Sequence, residues 1–501
     1  MVRGIINALN VITKLRGIRT ITMKIEECDQ NGIECPGKNK IVHYDKQVAM
    51  YMLISALACL IFYLMFPIID GAVICKDSPS YMSMDFSREP FYPMFLLLMR
   101  SIFGAERYTF PVVLLQSILA AYAAWRLSKL VYDITDSMKL GMSAIAFQFI
   151  VSLLNRFVAN RGSSYIECIM TEGVCLSLFV LFMVQLFLFL DERKVSNLAG
   201  TAVYSFLLID VRKQMQITVL IMFIMVLVYL LIREHKVRKF LVVICIIPVI
   251  ILADKFVDCT YNYVVRGVFA EHAGNGTGFL TTLLYSSDKS NDASCFADDS
   301  ETGNLYLKIM DECDKQKLLY KYADQGFTDL TTHYADHYDA IQYGVIDPVI
   351  QDYIMDELGI TDPVLKPLMF DEICGKMSHA LLGRNMGRIF KVFIYNSAKG
   401  FINSILRMNS VLNWVALALY MLYIMFMIKI RKKMSAYGDK GRRVLLFAEI
   451  VLCGIVVNSF VVGTMIFTQP RYMIYSMGAF YTALIMMISF IREKHKILIV
   501  Q

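Results

Sequence analysis

Charge is scarce in this chain: Asp, Glu, Lys and Arg make up 19% of its 501 residues, against 57% hydrophobic. A soluble protein of this length needs far less apolar surface to fill its cores, so the surplus must face lipid. None of the twelve cysteines falls in a CxxC pair or a zinc-like spacing, which excludes a metal finger. Cys59, Cys175, Cys245 and Cys453 lie in apolar stretches and read as small core hydrophobes. Cys259, Cys295, Cys313 and Cys374 share one polar segment, where an oxidising compartment would permit a disulfide of unassigned pairing. No strand-like alternation, internal repeat or Gly-rich nucleotide loop is present, which argues against a sheet, an inverted-repeat transporter and a nucleotide donor. The first apolar stretch does not read as a cleavable signal peptide, because Lys14, Arg16 and Arg19 interrupt what would be its apolar core.

What the chain does have is apolar runs of membrane length. A helix needs roughly 20 apolar residues to cross about 30 Å of hydrocarbon. Spans are expected near 47–67, 109–127, 141–158, 168–190, 197–211, 216–232, 240–257, 411–428, 444–467 and 472–491. The net charge of +7 does not point to nucleic acid, since the cations sit in short connectors instead of forming one face. With a cytoplasmic N-terminus, the clusters Arg126/Lys129/Lys139, Arg193/Lys194, Arg233 to Lys239, Arg431 to Arg443 and Arg492 to Lys496 all fall inside. Residues 5–23 carry Ile5, Leu9, Ile12, Leu15 and Ile18 at helical spacing; an interfacial helix and a basic tail both fit them.

Four regions follow: a cytoplasmic N-terminal segment (1–46), a transmembrane bundle (47–257) with a first outer loop at 68–108, an extracytoplasmic domain (258–410) and C-terminal transmembrane helices (411–501). The semi-apolar stretches 91–104 and 389–406 are laid on the outer surface, because counting either as a span would reverse a downstream basic cluster. In the outer domain, 270–300 reads as loop, and Leu305 to Tyr322 and Pro363 to Leu382 as helix.

Cations should avoid short outer loops, yet Arg88, Arg156, Arg161, Arg212, Lys213 and Arg471 all lie there. Held at headgroup depth, such a set suits a phosphate carried on a lipid, since a guanidinium grips phosphate with two parallel bonds. Snorkelling to ordinary headgroups accounts for any one of them equally well. Asp77 lies just beyond the first span, where a carboxylate can take the proton of an incoming hydroxyl. Asp70 is its rival, although it also suits the end of the span. Glu172, and more weakly Glu167, are acids at the start of an apolar span, where an ionisable group is a functional candidate. His333 and His337 are four apart but no glutamate completes an HExxH pattern, which favours solvated surface over metal. Asn275-Gly-Thr277 is a glycosylation sequon only in a secretory pathway.

The loop KDSPSYMSM with REPFYPMFLLLMRSIFG, then IMTEGVCLSLFVLF, IDVRKQMQ and TQPRYMIY, resembles polytopic glycosyltransferases of the C-type (GT-C) fold. That group includes protein O-mannosyltransferases and bacterial aminoarabinose transferases. The match departs from the family where Ser78 follows Asp77 in place of a second acid, and where no proline follows Arg212. The resemblance implies an all-α, GT-C-like transmembrane bundle with a mainly helical extracytoplasmic domain, in the plasma membrane of a bacterium. It implies Asp77 as catalytic base, Glu172 as supporting acid, and Arg212 and Arg471 as ligands of the donor's lipid phosphate. Arg88, Arg161 and Lys213 extend that phosphate set, and Tyr81 and Tyr92 are the expected acceptor contacts. The expected partners are a polyprenyl-phosphate-linked sugar, a glycan, lipid or protein acceptor, and membrane lipids. No cofactor is assigned, and a divalent metal is left open. The rival readings are a lipid or polysaccharide transporter and a glycan ligase or polymerase.

Overall fold

In hydrocarbon every backbone N–H and C=O must be satisfied within the protein, and a helix does this with local bonds alone. The computed structural model is all-helical, without strands among the described residues, which are 38–158, 163–406 and 410–500. Nine helices among them are long and apolar enough to cross a membrane. The chain is therefore a polytopic helical membrane protein. It divides into two compact units, Met1–Leu53 and Ile54–Gln501. Of the first, residues 38–53 are described and helical throughout; the expected feature at 5–23 lies outside the described residues.

Helix α1 (Lys38–Asp70) holds the first span. Short α2 (Ser78–Met82) and α3 (Phe91–Phe103) occupy the loop that follows. Spans α4 (Thr109–Thr135), α5 (Met138–Val158) and α6 (Glu172–Glu192) come next. Apolar residues surround α6 on all sides, the pattern of an enclosed helix. It is the hub of the bundle: 83% of its crossing window is buried, against 17% for α9 (Val237–Arg266).

The expected span at 197–211 is helix α7 (Val195–Val211), whose 17 residues are short for a crossing. It nonetheless returns along the whole of α6, because Arg212 at its end bonds Glu172 at the start of α6. Helix α8 (Ile217–Val226) is lengthened by a 3-10 turn before it and a π turn (Leu227–Arg233) after it, giving a 21-residue crossing. Helix α9 runs nine residues beyond the expected end at 257, so the polar segment begins near 267. Its extension is stable because Asp254, Asp258 and Asn262, one turn apart, are buried together against the bundle.

The polar segment has a hydrophobic core of its own, from Leu280 to Val392. Around it stand α10 (Thr277–Ser286), α11 (Ser300–Lys315), α12 (Phe327–Ile341), α13 (Leu365–Leu381) and α14 (Met386–Asn403). Helix α10 corrects the loop expected over 270–300: the Gly and Ser clusters flanking TGFLTTLLYS hid a ten-residue helix whose leucines enter that core. Spans α15 (Ser410–Lys432), α16 (Met434–Met465, broken at Gly438) and the crossing Pro470–Arg492, made by α17 (Pro470–Met473) and α18 (Met477–Val500), complete the fold.

The two ends of the bundle carry different charge. At one, basic connectors are tied to acids: Arg442 and Arg443 to Asp191 and Lys440 to Asp136 at helix ends, and Arg233 to Glu449 within α16. At the other, the loops after α1, α5, α7 and α16 meet.

Candidate active site

The first loop is stitched to the segment before α6. Val73 N donates to Glu167 O at 2.9 Å and Ile169 N to Val73 O at 3.0 Å, an isolated parallel bridge. Ser78 Oγ accepts from Cys75 N at 2.7 Å and donates to Ile169 O at 2.8 Å. These bonds place Asp77 beside the start of α6. Asp77 occupies the N-cap position of α2, where an acid usually accepts a backbone N–H. Here its side chain makes no cap bond and turns to Arg471 instead.

Four of the expected residues meet there. Arg471 Nη1 donates to Asp77 Oδ2 at 3.1 Å, and Arg471 Nε lies 4.0 Å from Glu172 Oε1. Arg212 Nη1 donates to that same Oε1 at 2.6 Å. Both guanidinium groups lie over the ring of Tyr472, at 4.6 Å for Arg212 and 4.8 Å for Arg471. Arg471 Nη2 also donates to Tyr472 Oη at 2.7 Å, whereas its buried Nε has no hydrogen-bond partner among the described residues. Glu172 is 1% exposed, so it orients the two arginines from beneath. Asp77 and Arg471 keep 28% and 24% of their side-chain surface and face the open side.

Tyr81 and Arg88 continue the cluster. Tyr81 Oη is 3.5 Å from Thr171 Oγ1, whose hydroxyl donates to Glu172 Oε2 at 3.3 Å. The Arg88 guanidinium donates to two hydroxyls, Ser80 Oγ at 2.8 Å and Tyr81 Oη at 3.4 Å. Burial pushes the Tyr81 phenol up to about 12, so it remains a hydroxyl at neutral pH. The guanidinium groups of Arg88, Arg212 and Arg471 thus stand with the carboxylates of Asp77 and Glu172 in one cluster.

Other expectations are corrected. Lys213 does not join Arg212, because Arg212 is extended (φ −163°, ψ 119°) and consecutive side chains of extended backbone point to opposite sides. Its ammonium goes to Asp254 at 2.6 Å, with Asp258 at 3.8 Å. Asp258 also holds His272, whose Nδ1 is 2.6 Å from Oδ2. Tyr92, expected as an acceptor contact, is fully buried and donates to Gln116 Oε1 at 2.9 Å. Asp70 and Arg156 are consumed by a mutual two-bond ion pair. Glu167 is buried, bonds Ser164 N and Oγ, and burial pushes its carboxyl above the usual range. Arg161 lies outside the described residues.

His333 and His337 share a face of α12, with ring centroids 4.1 Å apart, but no group of three or more metal-type ligands forms among the described residues. Cys259, Cys295, Cys313 and Cys374 are free.

The polar segment supplies the wall that the sequence reading missed. Tyr338 of α12 donates to Met465 O at 3.2 Å and packs on Phe467 at 5.3 Å, docking α12 on the connector that leads to Arg471. Asn396 of α14 fixes the same connector, donating to Gly463 O at 3.1 Å and Ile466 O at 2.8 Å. Asp339 and Tyr343 then face the Asp77 side. Burial pushes the Asp339 carboxyl up, Lys76 and Arg471 pull it down, and Asp77 adds to the rise. Tyr343, 58% exposed, stands among Asp339, Tyr472, Asp347 and Asp77. Burial lifts Asp347 to about 6. The signal was the spacing Asp336, Asp339, Tyr343, Asp347 along one face, outside the histidine pair.

Beside this centre lies an apolar groove of about 380 Å³, lined by Ile150, Leu154, Ile405, Ile474, Met477 and Tyr481. Ile474 and Met477 follow Arg471 by three and six residues, so one wall of the groove belongs to the same stretch of chain as that arginine. No family model, curated protein or solved structure matches this chain.

Proposed function

We propose that the chain is a membrane glycosyltransferase that moves a sugar from a polyprenyl-phosphate donor to an acceptor hydroxyl at the extracytoplasmic face. The observation that carries the reading is the ion pair between Asp77 and Arg471, a carboxylate and a guanidinium from opposite ends of the chain, open to solvent above a buried Glu172. A sugar phosphodiester bears one negative charge, which the guanidinium groups gathered here can hold. Its isoprenoid tail fits the apolar groove beside Arg471.

The chemistry follows from the exchange of partners. Donor phosphate takes the exposed edge of Arg471 and releases Asp77. The acceptor oxygen attacks the sugar carbon from the face opposite the phosphate, its proton passing to Asp77. The bond from sugar to phosphate oxygen breaks, and polyprenyl phosphate leaves with the electron pair and the added negative charge. Arg212, Arg471 and Arg88 stabilise that charge as it grows, so the sugar carbon is inverted. Glu172 is a positioning residue in this scheme. Asp339, Tyr343 and Asp347 stand where an acceptor would approach.

The test uses purified chain in proteoliposomes with polyprenyl-phosphate donors carrying a hexose or an aminopentose, each with a radiolabelled sugar. Asp77→Asn is expected to lower transfer by about 10²–10⁴-fold, with an unchanged melting curve. Full activity in that variant removes Asp77 from the base role. Donor appearing in the opposite leaflet, with no mass gain on any acceptor, moves the chain to the lipid transporters.

A further inference from the structure

A second site lies at the opposite, basic end of the bundle. Between the ends of α6 and α8 and the beginnings of α7 and α9 is a lipid-facing cavity of about 210 Å³. Its apolar walls are Phe189, Leu198, Leu230 and Val243, and at its rim Val195 and Val242 are 79% and 59% exposed. Three cations complete the lining: Arg193, Arg238 and Lys239.

These cations are poorly compensated. Arg193 Nη2 pairs with Glu234, a carboxylate that also takes Lys236 Nζ at 2.6 Å. The other terminal nitrogen, Arg193 Nη1, is buried with no hydrogen-bond partner among the described residues. Arg238 and Lys239 occupy the first turn of the 30-residue α9, whose N–H groups add partial positive charge to a place where acids are usual. Arg193 also sits at φ 60°, a left-handed helix cap that glycine normally fills. A long cationic side chain is thus kept where backbone preference disfavours it, with one donor left over and an apolar slot beside it.

We infer that this cavity binds a membrane phospholipid with an anionic head group, its phosphodiester between Arg193, Arg238 and Lys239 and one acyl chain along Leu198, Leu230 and Val243. A free phosphate would meet the cations but waste the apolar slot. A zwitterionic lipid would bring its own ammonium to a place already crowded with positive charge. The site shares no residue with the proposed sugar-transfer centre, so the two readings stand or fall separately.

The test is native mass spectrometry of the purified full chain in detergent, offered phosphatidylglycerol and phosphatidylcholine of identical chains at equal concentration, with glycerol phosphate as a chain-free arm. Phosphatidylglycerol adducts should dominate, and glycerol phosphate should give none. Arg238 and Lys239 are exposed and outside the ion pair with Glu234, so Arg238→Gln with Lys239→Gln leaves the fold intact. Each cation near a membrane surface is worth about fivefold in affinity for an anionic lipid, and the double variant should lose about 25-fold. Lys432→Gln with Lys433→Gln, in another basic connector, should change the ratio less than twofold. Equal retention of the two lipids, unchanged preference in the Arg238/Lys239 variant, or an equal loss in the Lys432/Lys433 control overturns the inference.

Discussion

Asp77 and Arg471 neutralise each other in the resting chain, and each gains a new partner only if the other is drawn away. The acids of the facing wall have no such exchange, and their charge is a cost to the fold. Asp347 shows it best: burial lifts its carboxyl from 3.8 to about 6. An acid with a raised folded pKa binds its proton more tightly when folded, so ionising it penalises the folded state. The penalty is absent below the unfolded value near 4, grows as pH rises to about 6, and is complete above that. Asp347→Asn should therefore stabilise the chain by roughly 2 kcal/mol at pH 7.5, and by almost nothing at pH 4. Melting temperatures of the two proteins across that range check it, and a gain that grows toward low pH refutes the assignment. The sequence exposed the acids and arginines as types but not the direction of each side chain. Arg212 and Lys213 look interchangeable as letters, and one extended residue sends them into different clusters.

Helix α6 owes its place to a single missing methyl. A Cβ at Gly173 would lie 2.5 Å from Gln116 Nε2, the atom that donates to Ile166 O at 2.7 Å and Cys168 O at 3.0 Å. Those bonds hold the segment on which the Asp77 loop is stitched. Gly173→Ala should displace Gln116 and cost about 1–3 kcal/mol, lowering the melting temperature in detergent. The double variant Gly173→Ala/Gln116→Ala should lose less than the sum of the two single losses, because Gln116 no longer blocks the methyl and the Tyr165 carbonyl oxygen at 3.0 Å is the tight contact left. Additive losses would show that the methyl meets some other obstacle. Elements of this kind were legible where hydropathy dominates: nine of the ten expected spans have a helix of crossing length among the described residues, and 197–211 has a shorter one. Hydropathy failed where polar residues are buried. The Asp254, Asp258 and Asn262 face carries α9 past its apolar run, and the turn-rich flanks of α10 conceal its leucines. Gly173 gave no signal at all, since its role depends on a glutamine 57 positions earlier.

For the molecule as a whole, the deciding question is which groups share a side of the membrane. The basic connectors gather at one end through Arg442 and Arg443 with Asp191, and Lys440 with Asp136. The Asp77 cluster forms at the other, because α6 runs from Glu172 at the cluster to Asp191 at the basic end. A crossing of this length, at about 1.5 Å per residue, separates the ends by roughly 30 Å. Single cysteines test the arrangement with a membrane-impermeant thiol reagent on vesicles of either orientation, each read against the parent chain. Asp77→Cys and Tyr343→Cys should label from one side and Lys440→Cys from the other. Cations retained in connectors favour the cytoplasm, so position 440 should be the one reached from inside. Labelling of 77 and 440 from a single side would break the bundle described above. Labelling of 77 and 343 from opposite sides would separate the acid from the wall that faces it, and the proposed transfer would lose its site.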